Sequence, residues 1–307
     1  MSKEKAENSI FGFNNQFVIY GANGWMGRSA VEFLATLVPC EVLGDKVILI
    51  GSKQSRIAIN GLNFNIVDAS SAISRIKPNA IFFNAAFLRR EFQKKMSKGD
   101  YIKKNNAISN FAKRVLQEKE LNTFIHLSSG VVNSLDLKNN SKNLDAYAKL
   151  KNSLEDEYSY SCTKTGTAFV NCRIYSLTGK YINEFENLAL SSFMRQAQTR
   201  KKIEVISPFT RRTYVDSIDL AGILLKIAIQ SKNITFDSGG ALVTFLDLAK
   251  QIADIFEIKD NDIILGDDDS PDYFGDYKTF ESIASDMSVT LRGLEGQILE
   301  TSKAFKS

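Results

Sequence analysis

The chain has 307 residues, 44% of them hydrophobic, which is enough for a large core and predicts one large α/β domain or a domain plus a lobe. Its net charge of +4, from 39 basic and 35 acidic residues, offers no strong basic field for nucleic acid. A single histidine, His126, excludes multi-histidine metal sites and argues against a Ser-His-Asp hydrolase, and Cys40, Cys162 and Cys172 form neither a C-x-x-C pair nor an even set.

The N-terminus (MSKEKAENS) is charged and polar, without the apolar segment of a signal peptide behind it. No stretch is long and apolar enough for a bilayer, so cytoplasm is the default expectation. Acid–base chemistry then falls to Tyr, Lys, Asp or Glu.

Phe17-Val18-Ile19-Tyr20 runs straight into Gly21-Ala22-Asn23-Gly24-Trp25-Met26-Gly27-Arg28, and a helical apolar pattern (Ala30, Val31, Phe33, Leu34, Leu37) follows. This predicts strand, tight glycine turn and helix. Gly21 permits the sharp turn, Gly24 leaves room for a pyrophosphate beside the backbone, and Gly27 lets the helix pack on the strand. The opening N–H groups of the helix would face the phosphates. The spacing is G-x-x-G-x-x-G rather than G-x-G-x-x-G. Gly21, Asn23, Gly24, Trp25, Met26, Gly27 and Arg28 are the candidate dinucleotide contacts of this turn.

Lys46 to Ile50 reads as a second buried strand, ending in Gly51-Ser52-Lys53-Gln54-Ser55-Arg56. An acidic residue here binds the ribose hydroxyls of NAD. The segment instead offers Ser52, Lys53 and Arg56, with Arg28 nearby, and such groups suit the extra phosphate of NADP. NADP is therefore favoured, with NAD left open. Phe64 to Asp68 is a third strand, and Ala80 to Ala86 a fourth whose small end would let a cofactor lie close. A helix is predicted over Tyr101 to Glu118, and Thr123 to Gly130 is a fifth strand ending in Ser128-Ser129. Strands alternating with helices predict a doubly wound parallel sheet. Its ligands would bind beyond the carboxyl ends of the strands, where Gly21, Ser52, Asp68, Ala85 and Ser129 all lie.

Tyr147 and Lys151 are four residues apart in a helical run that reaches Glu155, so they share a face. A lysine beside a phenol favours the phenolate. Such a tyrosine can exchange a proton with a carbonyl or alcohol oxygen, and a serine hydroxyl can bond the same oxygen.

The glycine turn, Ser128-Ser129 and Tyr147…Lys151 occur in the order and spacing of the short-chain dehydrogenase/reductase superfamily. The chain resembles its extended branch, the NAD(P)-dependent sugar-nucleotide epimerase/dehydratase family, over about Phe17 to Phe256. Smaller marks agree. Asp68, with Ala69 after it, resembles the family's adenine-contacting acid, and Asn84-Ala85-Ala86 its small-residue cofactor strand. Asn106 matches the structural asparagine of the active site. Arg173 to Gly179 is similar to the segment after strand six. Arg212-Thr213-Tyr214-Val215…Asp219 is similar to R-x-Y-V-x-x-x-D, whose arginine binds the nucleotide diphosphate and whose last Asp opens a helix. Asn187 resembles the asparagine that touches the sugar nucleotide.

The resemblance implies a Rossmann fold with a smaller C-terminal substrate-binding lobe, the two interleaved. Residues 13–180 and 213–240 would bind NAD(P), and residues 181–212 and 241–307 would form the lobe. It implies Ser129, Tyr147 and Lys151 as the catalytic set, with Tyr147 and Lys151 also touching cofactor and Ser128, Asn187 and Arg212 touching substrate. Gly130-Val131 stand where sugar 4,6-dehydratases carry Asp-Glu, which disfavours dehydration. The implied activity is hydride transfer on a nucleotide-activated sugar, as 4-keto reduction or C4 epimerisation. A non-catalytic dinucleotide-binding protein and a reductase of a non-sugar ketone are the alternatives. A homodimer, with the Tyr147 helix in its interface, fits the family.

Among the C-terminal segments, Phe185 to Met194 reads as an apolar helix and Thr199 to Lys202 as a solvated basic turn. Leu220 to Ile229 and Leu246 to Ile255 are further helices. Ile234 to Gly240 is a final strand and turn, returning to the main sheet, and Asp267 to Asp272 is an exposed acidic loop.

Overall fold

The structure, a computed structural model, describes residues 15–37, 40–134, 145–182 and 188–305. The chain divides into two compact units, one of residues up to Arg173 plus Ala221–Thr235, the other of Ile174–Leu220 plus the residues from Phe236 onward.

The first unit is built on strands β1 (Phe17–Tyr20), β2 (Val47–Gly51), β3 (Ser55–Ile59), β4 (Leu62–Asp68), β5 (Ala80–Asn84), β6 (Leu121–Ser129) and β7 (Ala168–Ile174), with β11 (Ile234–Asp237) at the far edge. The order across the sheet is β11-β7-β6-β5-β1-β2-β4-β3. Strands β1, β2, β4, β5 and β6 pair in parallel. Every residue of β1 and β5 is buried, as a sheet covered on both faces requires. The chain leaves β1 for β2 on one side and later returns beside β1 as β5, so the topological switch point lies at the carboxyl ends of β1 and β5.

The helices of this unit are α1 (Trp25–Leu37), α2 (Cys40–Lys46), α3 (Ala69–Ala72), α4 (Lys98–Glu118) and α5 (Ala146–Thr165), with most of α7 (Ser217–Ile229). A core of Val18, Tyr20, Phe82, Val115, Phe124 and Tyr158 joins the sheet to α4 and α5. The Phe82 and Phe124 rings stack there at 5.4 Å.

Strand β3 departs from the sequence reading, which treats residues 51–56 as a loop. Ser55–Ile59 pairs antiparallel with β4 through a turn at Asn60 (φ 50°) and Gly61 (φ 80°). Ile57 and Ile59 are buried on alternate positions of the strand.

The second unit holds a three-stranded sheet, β12 (Ala241–Thr244), β10 (Arg211–Asp216) and β8 (Leu177–Thr178), and a parallel pair, β9 (Ile203–Val205) with β13 (Ile263–Leu265). Its helices are α6 (Ala189–Arg200), α8 (Phe245–Ile255), α9 (Tyr277–Asp286) and α10 (Leu294–Ser302). From α10, Gln297 accepts from Thr178 Oγ1 at 2.8 Å and Thr301 Oγ1 accepts from the N–H of Gly179 at 2.8 Å. The carboxylate that caps α7 is Asp216, which accepts from the N–H of Ile218; Asp219 sits in the first turn. Asp272, read as part of an exposed loop, pairs with Arg211 at 2.6 Å. Among the described residues, no helix is long and apolar enough to cross a membrane.

Candidate active site

The glycine turn joins β1 to α1. Gly21 has φ +88°, and a Cβ there would meet the Ala86 backbone N at 2.7 Å. Side chains rarely tolerate either condition. A Cβ on Gly27 would meet Ala22 Cα at 2.7 Å, so α1 seats on the strand end only because that carbon is missing. The N–H of Gly24 donates to Gly21 O, and Arg28 Nε donates to Asn23 O, which closes the turn. Asn23 and Gly24 are exposed, Trp25 and Arg28 half-buried, and Met26 is buried. The turn can hold a phosphate through its backbone, with the N-terminus of α1 adding amides. The Met26 side chain points into protein instead.

Beyond β2, Ser52 and Lys53 are exposed. Arg56 is not in that loop. It lies on β3, where its Nε donates to Asn65 Oδ1 at 3.0 Å. Asp68 caps α3, accepting from the N–H of Ser71 at 3.1 Å and from the Ser70 hydroxyl, while Gln54 donates to its other oxygen at 3.2 Å. The Ser70 bond, then that of Ser71, brings its pKa down to about 2. Ala69 opens α3. Asn84 ends β5, and Ala85 and Ala86 follow it beside Gly21.

Asn106 is exposed. The buried asparagine of α4 is Asn105, which donates to Tyr101 O and accepts from the N–H of Leu88, tying the helix to the segment after β5. One residue turns a helix by about 100°, so only one of two adjacent asparagines can face the sheet.

Tyr147 and Lys151 come together near the carboxyl end of β6, whose last residue is Ser129. The Lys151 ammonium donates to Leu127 O at 2.7 Å and lies 4.0 Å from the centre of the Phe87 ring and 5.9 Å from that of Tyr147. The Phe87 and Tyr147 rings meet edge to face at 5.7 Å. Asp145 caps α5 by accepting from the N–H of Tyr147, so the tyrosine sits in the first turn of the helix. Lys151 is 5% exposed. Burial pushes its pKa down to about 7, against the pull of the Glu155 carboxylate. Ser129 is buried, and its Oγ accepts from the N–H of Val131.

Ser128, read as a substrate contact, is otherwise engaged: its hydroxyl donates to Glu155 Oε1 at 2.5 Å. Glu155 also takes both prongs of the Arg173 guanidinium, at 2.7 Å from Nη2 and 3.0 Å from Nε. Sequence reasoning missed Glu155 and Phe87. The signal for Glu155 was its place one helical turn beyond Lys151; for Phe87 it was an aromatic directly after the small residues of β5.

In the second unit, Arg212 lies on β10 with its guanidinium 5.2 Å from the Phe245 ring centre and 5.6 Å from that of Tyr273. Its Nη1 donates to Arg211 O and Pro271 O, both at 2.9 Å. Asn187 lies outside the described residues. Among those described, no cluster of His, Cys, Asp or Glu could hold a metal ion.

The model of the NAD dependent epimerase/dehydratase family matches residues 17–236. No curated protein matches the chain. Among solved structures, the chain is similar to a UDP-N-acetylglucosamine 4-epimerase from Methanobrevibacter ruminantium M1 in complex with UDP-N-acetylmuramic acid, at 17% identity and a TM-score of 0.73, over 95% of this chain and 98% of that one. It is similar to a UDP-glucose 4-epimerase from Thermotoga maritima with UDP-glucose, at 17% identity and a TM-score of 0.71, over 95% and 98%. A UDP-glucuronic acid 4-epimerase from Bacillus cereus, in complex with UDP-glucuronic acid and NAD, gives 15% identity and a TM-score of 0.70, over 95% and 99%. At such identities the likeness is one of fold.

Proposed function

Since the chain belongs to the NAD dependent epimerase/dehydratase family, we propose that it transfers hydride at a carbon of a nucleotide-activated sugar, as a C4 epimerase. The observation that carries this reading is a buried Lys151 that donates to Leu127 O near the end of β6, with the Tyr147 ring beside its ammonium and Ser129 two residues further along the strand. The turn fits a dinucleotide: Asn23 and Gly24 are exposed at its tip, Gly24 puts no side chain between the backbone and a phosphate, and the N-terminus of α1 follows at once.

When bound, the nicotinamide supplies the hydride acceptor and donor. Tyr147 takes the proton of the sugar hydroxyl and returns it. Ser129 donates a hydrogen bond to the same oxygen as its charge changes. Lys151 holds positive charge beside the phenol, which favours the phenolate. Neither Gly130 nor Val131 is an acid or base, so elimination of water has no group at that position. Arg212 is assigned the substrate diphosphate, which a guanidinium binds through paired N–H groups. A homodimer through the α5 surface belongs to the same proposal, and light scattering would give its mass.

The end of β2 supports a second reading, an NADPH-dependent 4-keto reductase. No carboxylate stands at Gly51-Ser52-Lys53, and Ser52 and Lys53 are exposed where a ribose phosphate would lie. Denaturing the purified protein and weighing the released dinucleotide separates the two. Tightly held NAD, near one per chain, is the epimerase outcome; an empty protein that prefers NADPH is the reductase outcome. Tyr147→Phe is expected to lose at least about 100-fold in turnover, the scale of a proton-transfer group, with dinucleotide binding intact. Full activity in that variant would remove the catalytic assignment.

A further inference from the structure

Behind the Ser129–Tyr147–Lys151 cluster, among β5, β6, α4 and α5, lies a small cavity lined by Asn84, Ser109, His126, Lys151 and Tyr158 with apolar neighbours. His126 is 2% exposed, and neither ring nitrogen has a hydrogen-bond partner among the described residues. Asn84 Oδ1 is also without one, in a side chain 5% exposed. Tyr158 lines the same cavity, and its ring packs edge-on against His126 at 4.9 Å. A neutral imidazole carries one donor and one acceptor. Native proteins rarely leave such groups unmatched in their interior. The space open to the centre of a water molecule is about 20 Å³, and about 10–15 Å³ suffices for one water with polar partners.

We propose that this cavity is a built water site, and that His126, through the water it holds, is a positioning residue that keeps the Lys151 ammonium solvated and charged.

Lys151 gives one N–H to Leu127 O, and its face toward Phe87 offers only a ring. Of the titratable groups around it, Glu155, Tyr147 and Tyr158 lie on its own helix and His126 on β6. Glu155 is shared with Arg173 from β7 and with Ser128 from β6. The groups from β5, its following segment and α4 are the neutral Asn84, Phe87 and Ser109. His126 stays neutral because burial, then the charge of Lys151, pushes its pKa well down. It can therefore anchor a water without adding a second cation. That water offers the ammonium an acceptor on its cavity side and offsets part of the desolvation that pulls the Lys151 pKa toward neutrality.

The test is a titration. In protein labelled with ¹³C-lysine, the Lys151 Cε resonance is assigned by its loss in Lys151→Met and followed against pH in wild type, His126→Leu and His126→Gln. His126→Leu removes both polar nitrogens and should lower the midpoint by about one pH unit, a tenfold loss of proton affinity. His126→Gln keeps a donor and an acceptor and should stay within about 0.3 units. An unmoved His126→Leu midpoint, or equal shifts in both variants, overturns the proposal. Should His126→Leu not fold, a high-resolution crystal structure of the wild type decides. A water bonded to a His126 nitrogen and to Lys151 Nζ is the expected result, and a dry cavity overturns the idea. The kinetic meaning of Lys151 rests on the proposed function, but neither readout needs turnover, so the two can fail separately.

Discussion

Glu155 accepts from Ser128 on β6 and takes a two-pronged bond from Arg173 on β7, so one carboxylate of α5 fixes the ends of two strands. Its side chain is 10% exposed and that of Arg173 28%. Removing it as Glu155→Ala takes the acceptor from the Ser128 hydroxyl and from Nε and Nη2 of Arg173, whose Nη1 keeps its bond to Asn133 Oδ1. The cost should be about 2–3 kcal/mol, below the 3–5 of a fully buried pair because Arg173 keeps some contact with water. The pH dependence has a definite sign. Desolvation is the largest single influence on Glu155 and raises its pKa, but the bonds from Arg173 and Ser128 together outweigh it, so the folded value lies below the model-peptide value of 4.5. The stabilisation is then present above that value and is lost as pH falls through the lower, folded one. Urea unfolding should show the full gap between wild type and variant at pH 7 and a gap that shrinks as pH falls below the ordinary glutamate value. Equal midpoints at pH 7 would mean that the pair contributes nothing. The same scale shows where reading residues from sequence stops. Ser128 and Ser129 are equivalent as letters, and only the packing of α5 decides which hydroxyl is committed to a carboxylate. Asn105 and Asn106 are equivalent until the buried stripe Tyr101, Asn105, Ser109, Ala112 selects one of them.

The β1–turn–α1 element was legible because each of its glycines answers a geometric demand visible in the strand–turn–helix order. Gly27 gives the sharpest test. Gly27→Ala would push its methyl onto the backbone of the preceding turn, at Gly21 and Ala22. Backbone cannot swing aside as a flexible side chain can, so overpacking of about 1–3 kcal/mol is expected. The start of α1 would also move away from the strand end. Thermal melting should fall, and dinucleotide affinity should drop more than melting alone explains, read by calorimetry below the transition. An alanine variant with wild-type affinity would show that the turn does not hold the cofactor. Strand β3 was missed although its signal is in the sequence: Asn60-Gly61 is a two-residue hairpin turn between alternating Ile57, Ile59 and Leu62, Phe64. The nearby Ser, Lys and Arg drew the reading toward a phosphate loop. Arg56 is accordingly a strand residue braced by Asn65. The glycine turn obeys local backbone rules, whereas Arg56 takes its place from pairing with a strand it had not been assigned.

At the scale of the molecule, the chain leaves the first unit after Arg173 and returns for Ala221–Thr235 before leaving again. Alternating strands and helices announced the sheet and the return of β11, and the family resemblance groups residues 213–240 with the dinucleotide-binding domain, but nothing in the sequence of α7 itself says that it completes the first unit. The structure makes this explicit. Ile223, Leu224, Leu225 and Ile227 are at most 1% exposed. Thr123 Oγ1 donates to Ala228 O at 2.8 Å, and the N–H of Phe169 donates to Asn233 Oδ1 at 2.8 Å. Gly222 packs so tightly on the Phe33 ring that a Cβ there would overlap it. Burying four such side chains is worth about 6–12 kcal/mol at roughly 1.5–3 each. The whole stability of a domain is about 5–15 kcal/mol, so this one segment decides whether the sheet stands. A fragment of residues 1–173 should therefore lack a cooperative urea transition. Residues 221–235 joined to it by a flexible linker should restore one, and should restore dinucleotide binding with it, since the glycine turn and Lys151 both belong to that unit. A cooperative transition in the shorter fragment would mean that α7 is an addition to the first unit rather than part of its core.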